Sequence, residues 1–143
     1  MTRAARVQVR ILRPGDEDLL IDAAKFSGAP TLSHHQAANH LANMRSVYLV
    51  ALDHNTPVGF SYGYVLPRFH TNAFFIYSVE VDESFRKNGV GRAMLSRLVE
   101  EGRNGAWSEM FVITNANNEA AMALYHGAGG VRPNGDDVLF DFK

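Results

Sequence analysis

The sequence predicts a mixed α/β protein of the α+β class, in which helices cover both faces of one mostly antiparallel, twisted sheet. Three observations predict this fold. Apolar runs rich in β-branched and aromatic residues indicate strands, and segments whose apolar residues recur every three to four positions indicate helices. Strands dominate the middle of the chain, and a helix, a strand, a further helix and a last strand follow them.

The first elements are a strand and two helices. Residues 7–12, VQVRIL, alternate between polar and apolar side chains and predict a strand. Asp16 is at the N-cap position of a helix that is expected to end near Gly28. A second helix is predicted within residues 31–46, with Ser33 as its cap.

The remaining elements build most of the sheet. Residues 47–52 and 58–66 are apolar runs joined by the polar turn DHNTP, which predicts an antiparallel hairpin. We find no repeat and no linker, so residues 1–143 are expected to form one domain. The other predicted elements are a strand at 74–81, a helix that opens within 83–101, a strand at 110–114, a helix from Asn117 or Asn118 to Gly127, and a strand at 138–142.

Composition excludes several classes of function. The chain has no cysteine, which excludes disulfides, thiolate metal sites and cysteine nucleophiles. A net charge of -1 gives no reason to expect nucleic acid or a membrane surface as a partner. The first ten residues contain arginines but no apolar core of a signal peptide, and no apolar run has the length of a membrane span. A cytoplasmic location is the expectation.

The segment between Ser84 and Val99 carries a local excess of positive charge. Gly89 and Gly91 allow the backbone to turn tightly and to approach a ligand closely. A helix that begins here presents unpaired amide groups and the positive end of its dipole. The segment therefore predicts an anion site suited to phosphate, although a solvated basic face is the alternative. Its basic residues are Arg86, Lys87, Arg92 and Arg97, and it contains no acid between them.

Two common nucleotide motifs do not fit this segment. A P-loop requires Gly-Lys-Ser/Thr, but Gly91 is followed by Arg92 and Ala93. The dinucleotide fingerprint requires a third glycine where the chain has Met94, and it normally follows the first strand of a parallel sheet.

The segment instead resembles the acyl-CoA loop of the GNAT N-acetyltransferase superfamily, Arg/Gln-x-x-Gly-x-Gly/Ala. Here that loop reads Arg86-Lys87-Asn88-Gly89-Val90-Gly91. Further along, NNEAAMALYHGAGG is similar to the family segment Asn-x-x-Ala-x-x-Leu-Tyr-x-x-x-Gly, with Asn118, Ala121, Leu124, Tyr125 and Gly129 in register. The resemblance implies a GNAT-like sheet whose fourth and fifth strands splay apart, and transfer of an acetyl group from acetyl-CoA to an amine.

The resemblance also implies residue roles. Backbone amides of the loop would hold the CoA pyrophosphate, and the backbone of Val79 and Val81 would pair with the pantetheine arm. An N–H near Val79 would polarise the thioester carbonyl. Tyr125 would act as general acid toward the leaving thiolate, the alternative being a tyrosine that fills the edge of the core. The loop residues implied are Arg86, Lys87, Asn88, Gly89, Val90, Gly91 and Arg92.

Two further roles have alternatives. Asn118 is expected either to hydrogen-bond the CoA arm or to cap its helix. Glu80 is a candidate base, directly or through water, but strand alternation places it on the face opposite Val79 and Val81 unless a bulge intervenes. In the alternative, water alone deprotonates the amine, and Glu80 is a glutamate on a partly exposed strand face with no catalytic role.

The acceptor is the least determined part of the prediction. YVLPRF, FFIYSVEV and LFDF are similar to segments of the type I aminoglycoside 3-N-acetyltransferases, which have aspartates where this chain has Ser78, Asn117 and Asn118. The acceptor is therefore expected to be an aminoglycoside, a polyamine or another small amine. Ser78, Glu80, Asn117 and His35 are its candidate contacts, and His34 and His40 border the same region. Solvated helix histidines are the alternative, and no metal site is predicted.

The resemblance carries two expectations about the whole protein. A homodimer is the family-level expectation. A protein that binds acetyl-CoA without catalysis, as a sensor or structural subunit, is the alternative function, and the intact Tyr125 and loop favour an enzyme.

Overall fold

A computed structural model describes residues 7–143. The first six residues, on which the expectation of no signal peptide partly depends, lie outside the described residues. The chain divides into two compact units, a larger one that runs to Ile113 and a smaller one, Thr114–Lys143. Among the described residues, no helix has the length and apolar character needed to cross a bilayer.

The larger unit is a five-stranded sheet with helices on both faces. The strands follow chain order, β1-β2-β3-β4-β5, and every pair is antiparallel except β4 with β5, which is parallel. This agrees with the predicted fold class. The elements of this unit are β1 (Val7–Ile11), α1 (Glu17–Ala24), α2 (His34–Ala42), β2 (Ser46–Asp53), β3 (Thr56–Pro67), β4 (Asn72–Val81), α3 (Val90–Arg103) and β5 (Glu109–Val112), with short 3-10 turns at Lys25–Ser27 and Glu83–Phe85.

Helices α1 and α2 cover one face of the sheet, which we call the α1/α2 face. The hydroxyl of the predicted cap Ser33 accepts a hydrogen bond from the Gln36 backbone amide, and the Ser33 backbone amide donates one to Gln36 Oε1, which forms a capping box. Asp16 precedes α1 as predicted, but its carboxylate accepts from the Arg13 amide and from Arg10 instead of capping the helix. The buried cluster under the two helices comprises Leu12, Leu20, Ala23, Ala37, Leu41, Tyr48, Val50, Leu52 and Phe60.

Helix α3 packs on the opposite face. Its apolar stripe is fully buried at Met94 and Leu98. Gly59 of β3 permits close packing, because a Cβ there would lie 3.0 Å from both Met94 Cε and a Val90 methyl group. At the far end of the helix, Trp107 stacks on Phe74 with ring centroids 4.3 Å apart.

A β-bulge in β4 marks the point where β4 and β5 separate. Tyr62 of β3 is opposite Ser78, but the next residue, Gly63, is opposite Ile76, so Tyr77 is an extra residue in β4. β5 pairs with β4 only as far as Ile76, whereas β4 continues to Val81. The fourth and fifth strands therefore part at the bulge, as the predicted splay requires.

The smaller unit contains helix α4, Glu119–Gly127, which starts and stops where the sequence predicts. Beyond the helix, the predicted strand at 138–142 is wrong, because these residues adopt no regular secondary structure. Val138 is 74% exposed and Phe142 is 93% exposed. The apolar run is present, but a strand also requires a backbone partner, and no strand pairs with this segment in residues 7–143.

Candidate active site

The basic loop lies between the turn at Glu83–Phe85 and helix α3. Lys87 and Gly89 adopt left-handed backbone angles, with φ of 62° and 81° respectively. Gly89 is the N-cap of α3 and no side chain caps the helix, so the first-turn amides remain available to a ligand. The Asn88 side chain donates to the Arg86 carbonyl at 2.9 Å and braces the turn. The backbone of the loop thus presents donors at the positive end of a long helix.

The charges around this loop fit an anionic group. Arg86, Lys87 and Arg92 are exposed, and none of them forms an ion pair within the described residues. Arg97, which the sequence groups with them, is directed elsewhere: it bonds Glu101 at 3.2 Å and the Val9 carbonyl at 3.2 Å. Three cations and an uncapped helix terminus fit a phosphate or pyrophosphate.

The segment of β4 beyond the bulge has only one strand neighbour. Val79 is opposite Ser61 and Val81 is opposite Gly59, so both valines lie on the α3 side of the sheet. On its other side, this segment has no partner strand in the part of the chain that the structure describes. Its backbone groups there can pair with an extended ligand, as β-strand addition does.

Ser78 and Glu80 lie on the α1/α2 face. Ser78 is opposite Tyr62 and Glu80 is opposite Phe60, so Glu80 is across the strand from Val79 and Val81, as alternation predicts. The bulge precedes these residues and does not bring Glu80 to the other side. The Ser78 hydroxyl donates to Glu80 Oε1 at 3.2 Å, and both side chains are half-buried.

A continuous row of aromatic rings extends across the same face, and we call it the aromatic strip. Tyr77 is central to it: its ring centroid is 5.3 Å from that of Tyr62, 6.1 Å from that of Tyr64 and 5.9 Å from that of Phe75. The strip is not among the features predicted from the sequence, although the alternating aromatics of GFSYGY were the available signal. The strip comprises Tyr48, Phe60, Tyr62, Tyr64, Phe75, Tyr77 and Phe111.

Two phenols of the strip are held neutral by their surroundings. Burial raises the pKa of Tyr62, and the nearby phenols and Glu80 raise it further. Burial likewise raises the pKa of Tyr48, against a smaller lowering from a hydrogen bond with Ser46. Neither side chain therefore supplies a base near neutral pH.

The candidate histidines of α2 are divided between solvent and the aromatic strip. His34 and His35 are exposed in the first turn, and His35 Nε2 is 3.4 Å from the Asn39 amide nitrogen. His40, about one and a half helix turns later, is hydrogen-bonded through Nδ1 to the Tyr48 hydroxyl at 2.9 Å. No group of three acids and histidines within residues 7–143 could hold a metal ion.

The predicted site residues of the smaller unit are on or beside α4. Asn118 caps the helix by accepting from the Ala121 amide at 3.0 Å, so the capping alternative is observed, while a contact with a CoA arm stays a prediction. Asn117 is exposed, and its amide donates to Asn115 Oδ1 at 2.8 Å. Tyr125 is half-buried in the second turn of α4.

An uncapped helix behind a basic loop, beside a strand pair that opens at a bulge, fits the class of acyl-CoA-dependent transferases. The model described as "Acetyltransferase (GNAT) family" matches residues 18–129, which crosses both units. The chain therefore belongs to the GNAT acetyltransferase family, whose members use acetyl-CoA.

Two relatives are similar to this chain in sequence. "Uncharacterized protein ML0378" of Mycobacterium leprae is 29% identical over 135 residues, which cover 89% of this chain and 36% of that protein. The ribosomal protein bS18-alanine N-acetyltransferase of Escherichia coli K12 is 32% identical over 54 residues, which cover 38% of this chain and 36% of that enzyme. The matches thus span little more than a third of either relative.

Two solved structures share the fold. The aminoglycoside acetyltransferase meta-AAC0020, from an uncultured soil metagenomic sample and in complex with sisomicin, has a TM-score of 0.86 and 16% identity, covering 97% of this chain and 98% of that one. The aminoglycoside N-acetyltransferase AAC(6')-Iy in complex with CoA has a TM-score of 0.77 and 17% identity, covering 96% of this chain and 94% of that one.

Proposed function

We propose that the protein is an N-acetyltransferase that moves an acetyl group from acetyl-CoA to a primary amine of a small molecule. The observation that carries this proposal is the junction of the uncapped α3 N-terminus with a β4 strand that continues past the end of its pairing with β5 and keeps only β3 as a neighbour. One feature suits a pyrophosphate and the other suits an extended arm. Family membership supplies the chemistry, which is aminolysis of a thioester.

The cosubstrate would be held by backbone more than by side chains. The amides from Asn88 to Arg92 would bind the pyrophosphate, and Arg86 and Lys87 would neutralise its charge. Val79 and Val81 would offer their backbone groups to the pantetheine arm, and Asn118 would contact the arm in addition to capping α4. Bound acetyl-CoA supplies the activated acetyl group.

Proton transfers are assigned to two side chains. The attacking amine must lose a proton, and Glu80 is the candidate acceptor, directly or through water, because it is the carboxylate of β4 beyond the bulge. The departing thiolate must gain one, and Tyr125 is the donor that the family motif implies. Backbone N–H near Val79 would polarise the carbonyl.

The acceptor is a small amine. Sisomicin in one solved relative makes an aminoglycoside a candidate, and the alanine of a ribosomal protein is the substrate named for another relative. This chain has Ser78, Asn117 and Asn118 where type I enzymes have aspartates, which weakens the attraction for a polycation. His35 and Asn117 remain proposed acceptor contacts, and a cytoplasmic homodimer remains the expected form of the protein.

Release of CoA thiol tests the proposal directly. The purified protein would be mixed with acetyl-CoA and a panel of aminoglycosides, polyamines and monoamines. The chain has no cysteine, so a thiol reagent detects only CoA. Amine-dependent release supports the enzyme. Acetyl-CoA binding without release for any amine would favour the non-catalytic sensor, and absence of binding would refute the assigned loop.

A further inference from the structure

We propose that the open half of the aromatic strip is the acceptor platform, and that it selects amines with a single positive charge beside a flat apolar ring. This inference rests on the proposed acetyl transfer and identifies the substrate class for it. Its occupant is an arylalkylammonium ion, as distinct from a polycation such as an aminoglycoside or polyamine.

The strip is covered at one end and open at the other. Tyr48 is 5% exposed beneath α1 and α2, and Phe60 is buried beside it. Tyr77 is 59% exposed, and Phe111, which stacks on Phe75 with centroids 5.0 Å apart, is 37% exposed. A tyrosine whose ring touches three aromatic neighbours and still faces solvent provides a rigid apolar surface that a ligand ring can cover.

The charge on this surface matches one ammonium group. β4 and β5 place two carboxylates on the α1/α2 face, Glu80 and Glu109, as their registers show. Glu109 is already paired with Arg68 at 2.7 Å. Glu80 forms no ion pair within residues 7–143 and keeps only the hydroxyl donor of Ser78. A second or third ammonium of a polycation would therefore find no free carboxylate on these strands.

The platform lies at the point where transfer is proposed to occur. Tyr77 is the bulged residue, and β5 leaves β4 directly before it. Glu80 follows three residues later on the same face, close enough to Tyr62 to influence its titration. An amine held between the Tyr77 ring and the Glu80 carboxylate would thus be at the edge of the opened strand pair. Aromatic faces attract ammonium groups, and ring stacking adds to that attraction.

The test compares two monoamines of equal charge, 2-phenylethylamine and propylamine, in the CoA-release assay, with spermidine and sisomicin as polycations. We expect kcat/KM for 2-phenylethylamine to exceed that for propylamine by about tenfold. Tyr77→Ala should erase this preference, mainly through KM, and Tyr77→Phe should keep it. Phe69→Ala is the matched control, because Phe69 is fully exposed in the β3–β4 turn and belongs to no ring contact of the strip.

A binding measurement separates this inference from the proposed function. Calorimetric titration with 2-phenylethylamine in the absence of acetyl-CoA should give a Kd that Tyr77→Ala weakens about tenfold and Phe69→Ala leaves unchanged. If that pattern holds while no amine is acetylated, the platform stands and the enzyme proposal fails. Three results would overturn the platform and leave the proposed acetyl transfer standing. They are acetylation with no preference for the ring-bearing amine, a Tyr77→Ala variant with the same preference and Kd as the wild type, and a higher kcat/KM for the polycations than for 2-phenylethylamine.

Discussion

The hydroxyl of Ser78 donates a hydrogen bond to the carboxylate of Glu80, 3.2 Å away and two residues along the same strand. The two side chains share a face because alternate residues of a strand point to the same side of the sheet, and no bulge interrupts the register between them. This pairing fixes the carboxylate beside the aromatic strip. It also identifies position 78 as the place where an added charge would act on the acceptor.

Ser78→Asp should shift acceptor preference toward polycations. A second carboxylate beside Glu80 doubles the local negative charge, and charge-assisted contacts are roughly twice as strong as neutral ones. We expect the ratio of kcat/KM for sisomicin to that for 2-phenylethylamine to rise about tenfold. Thiol release measures both values. Thr56→Asp, which adds the same charge at the exposed first residue of β3, should leave the ratio unchanged; a rise in this control would point to a long-range charge effect instead.

Gly89→Ala should weaken acetyl-CoA binding. Its φ of 81° is costly for any residue with a Cβ, by about 1 kcal/mol, and relaxation of the loop would move the amides that bind phosphate. Gly105→Ala is the matched control, because Gly105 has a φ of 102° and no atom near its missing Cβ. Both variants should lose similar stability, but only Gly89→Ala should raise the Kd for acetyl-CoA in a calorimetric titration. Equal Kd values would separate the loop from the pyrophosphate.

Tyr125→Phe should lower turnover and leave acetyl-CoA affinity unchanged. The substitution keeps the ring in α4 and removes the phenolic proton, which for a general acid is worth about 10²–10⁴-fold in rate. The measurement is kcat with a saturating acceptor, alongside the Kd for acetyl-CoA and the thermal midpoint of the same sample. Wild-type turnover in a variant of unchanged stability would remove Tyr125 from the acid role.

Alkaline pH should destabilise the protein through the aromatic strip. Burial raises the pKa of Tyr62 above its ordinary value of 10.0. Because the folded state holds this proton more tightly, the group contributes its full stabilisation below pH 10.0, the pKa of the unfolded state. That contribution is lost as the pH rises through the higher pKa of the folded state. The free energy of unfolding should therefore decline above about pH 10.

The variant Tyr62→Phe tests this account, because it keeps the ring and removes the titrating hydroxyl. Urea unfolding at a series of alkaline pH values should give a shallower decline for the variant than for the wild type. An equal slope would assign the alkaline loss to other groups, among them Tyr48, whose pKa is also raised by burial.

Gly63→Ala should strain the bulge itself. A Cβ at Gly63 would lie 2.2 Å from the Phe75 carbonyl oxygen and 2.7 Å from the Phe74 ring, so β3 and β4 would have to move apart. Overpacking of this kind costs about 1–3 kcal/mol. Urea unfolding measures the loss, with Gly135→Ala as control because no atom lies within 4 Å of its missing Cβ. Unchanged stability of Gly63→Ala would mean that the strands can adjust at the bulge.

Local patterns in the sequence predicted most of the fold and part of the site. Ser33, the loop glycines and the period of α3 act through neighbours within a few residues, so their roles can be predicted from spacing alone. The aromatic strip could not be predicted in this way, since it depends on the cross-strand register and on one extra residue in β4. The grouping of Arg97 with the loop cations and the expected strand at 138–142 are wrong for a related reason. The orientation of Arg97 and the formation of a strand both depend on partners distant in sequence.

The stacked pair of Trp107 and Phe74 has a practical consequence. The chain has one tryptophan, it is 7% exposed, and it lies on the α3 side of the sheet, away from the aromatic strip. Its emission is thus a single-site optical reporter of whether the sheet and α3 remain assembled. Tyrosine emission, by contrast, comes mostly from the strip, so the two signals distinguish a variant that has lost its ligand surface from one that has lost its fold.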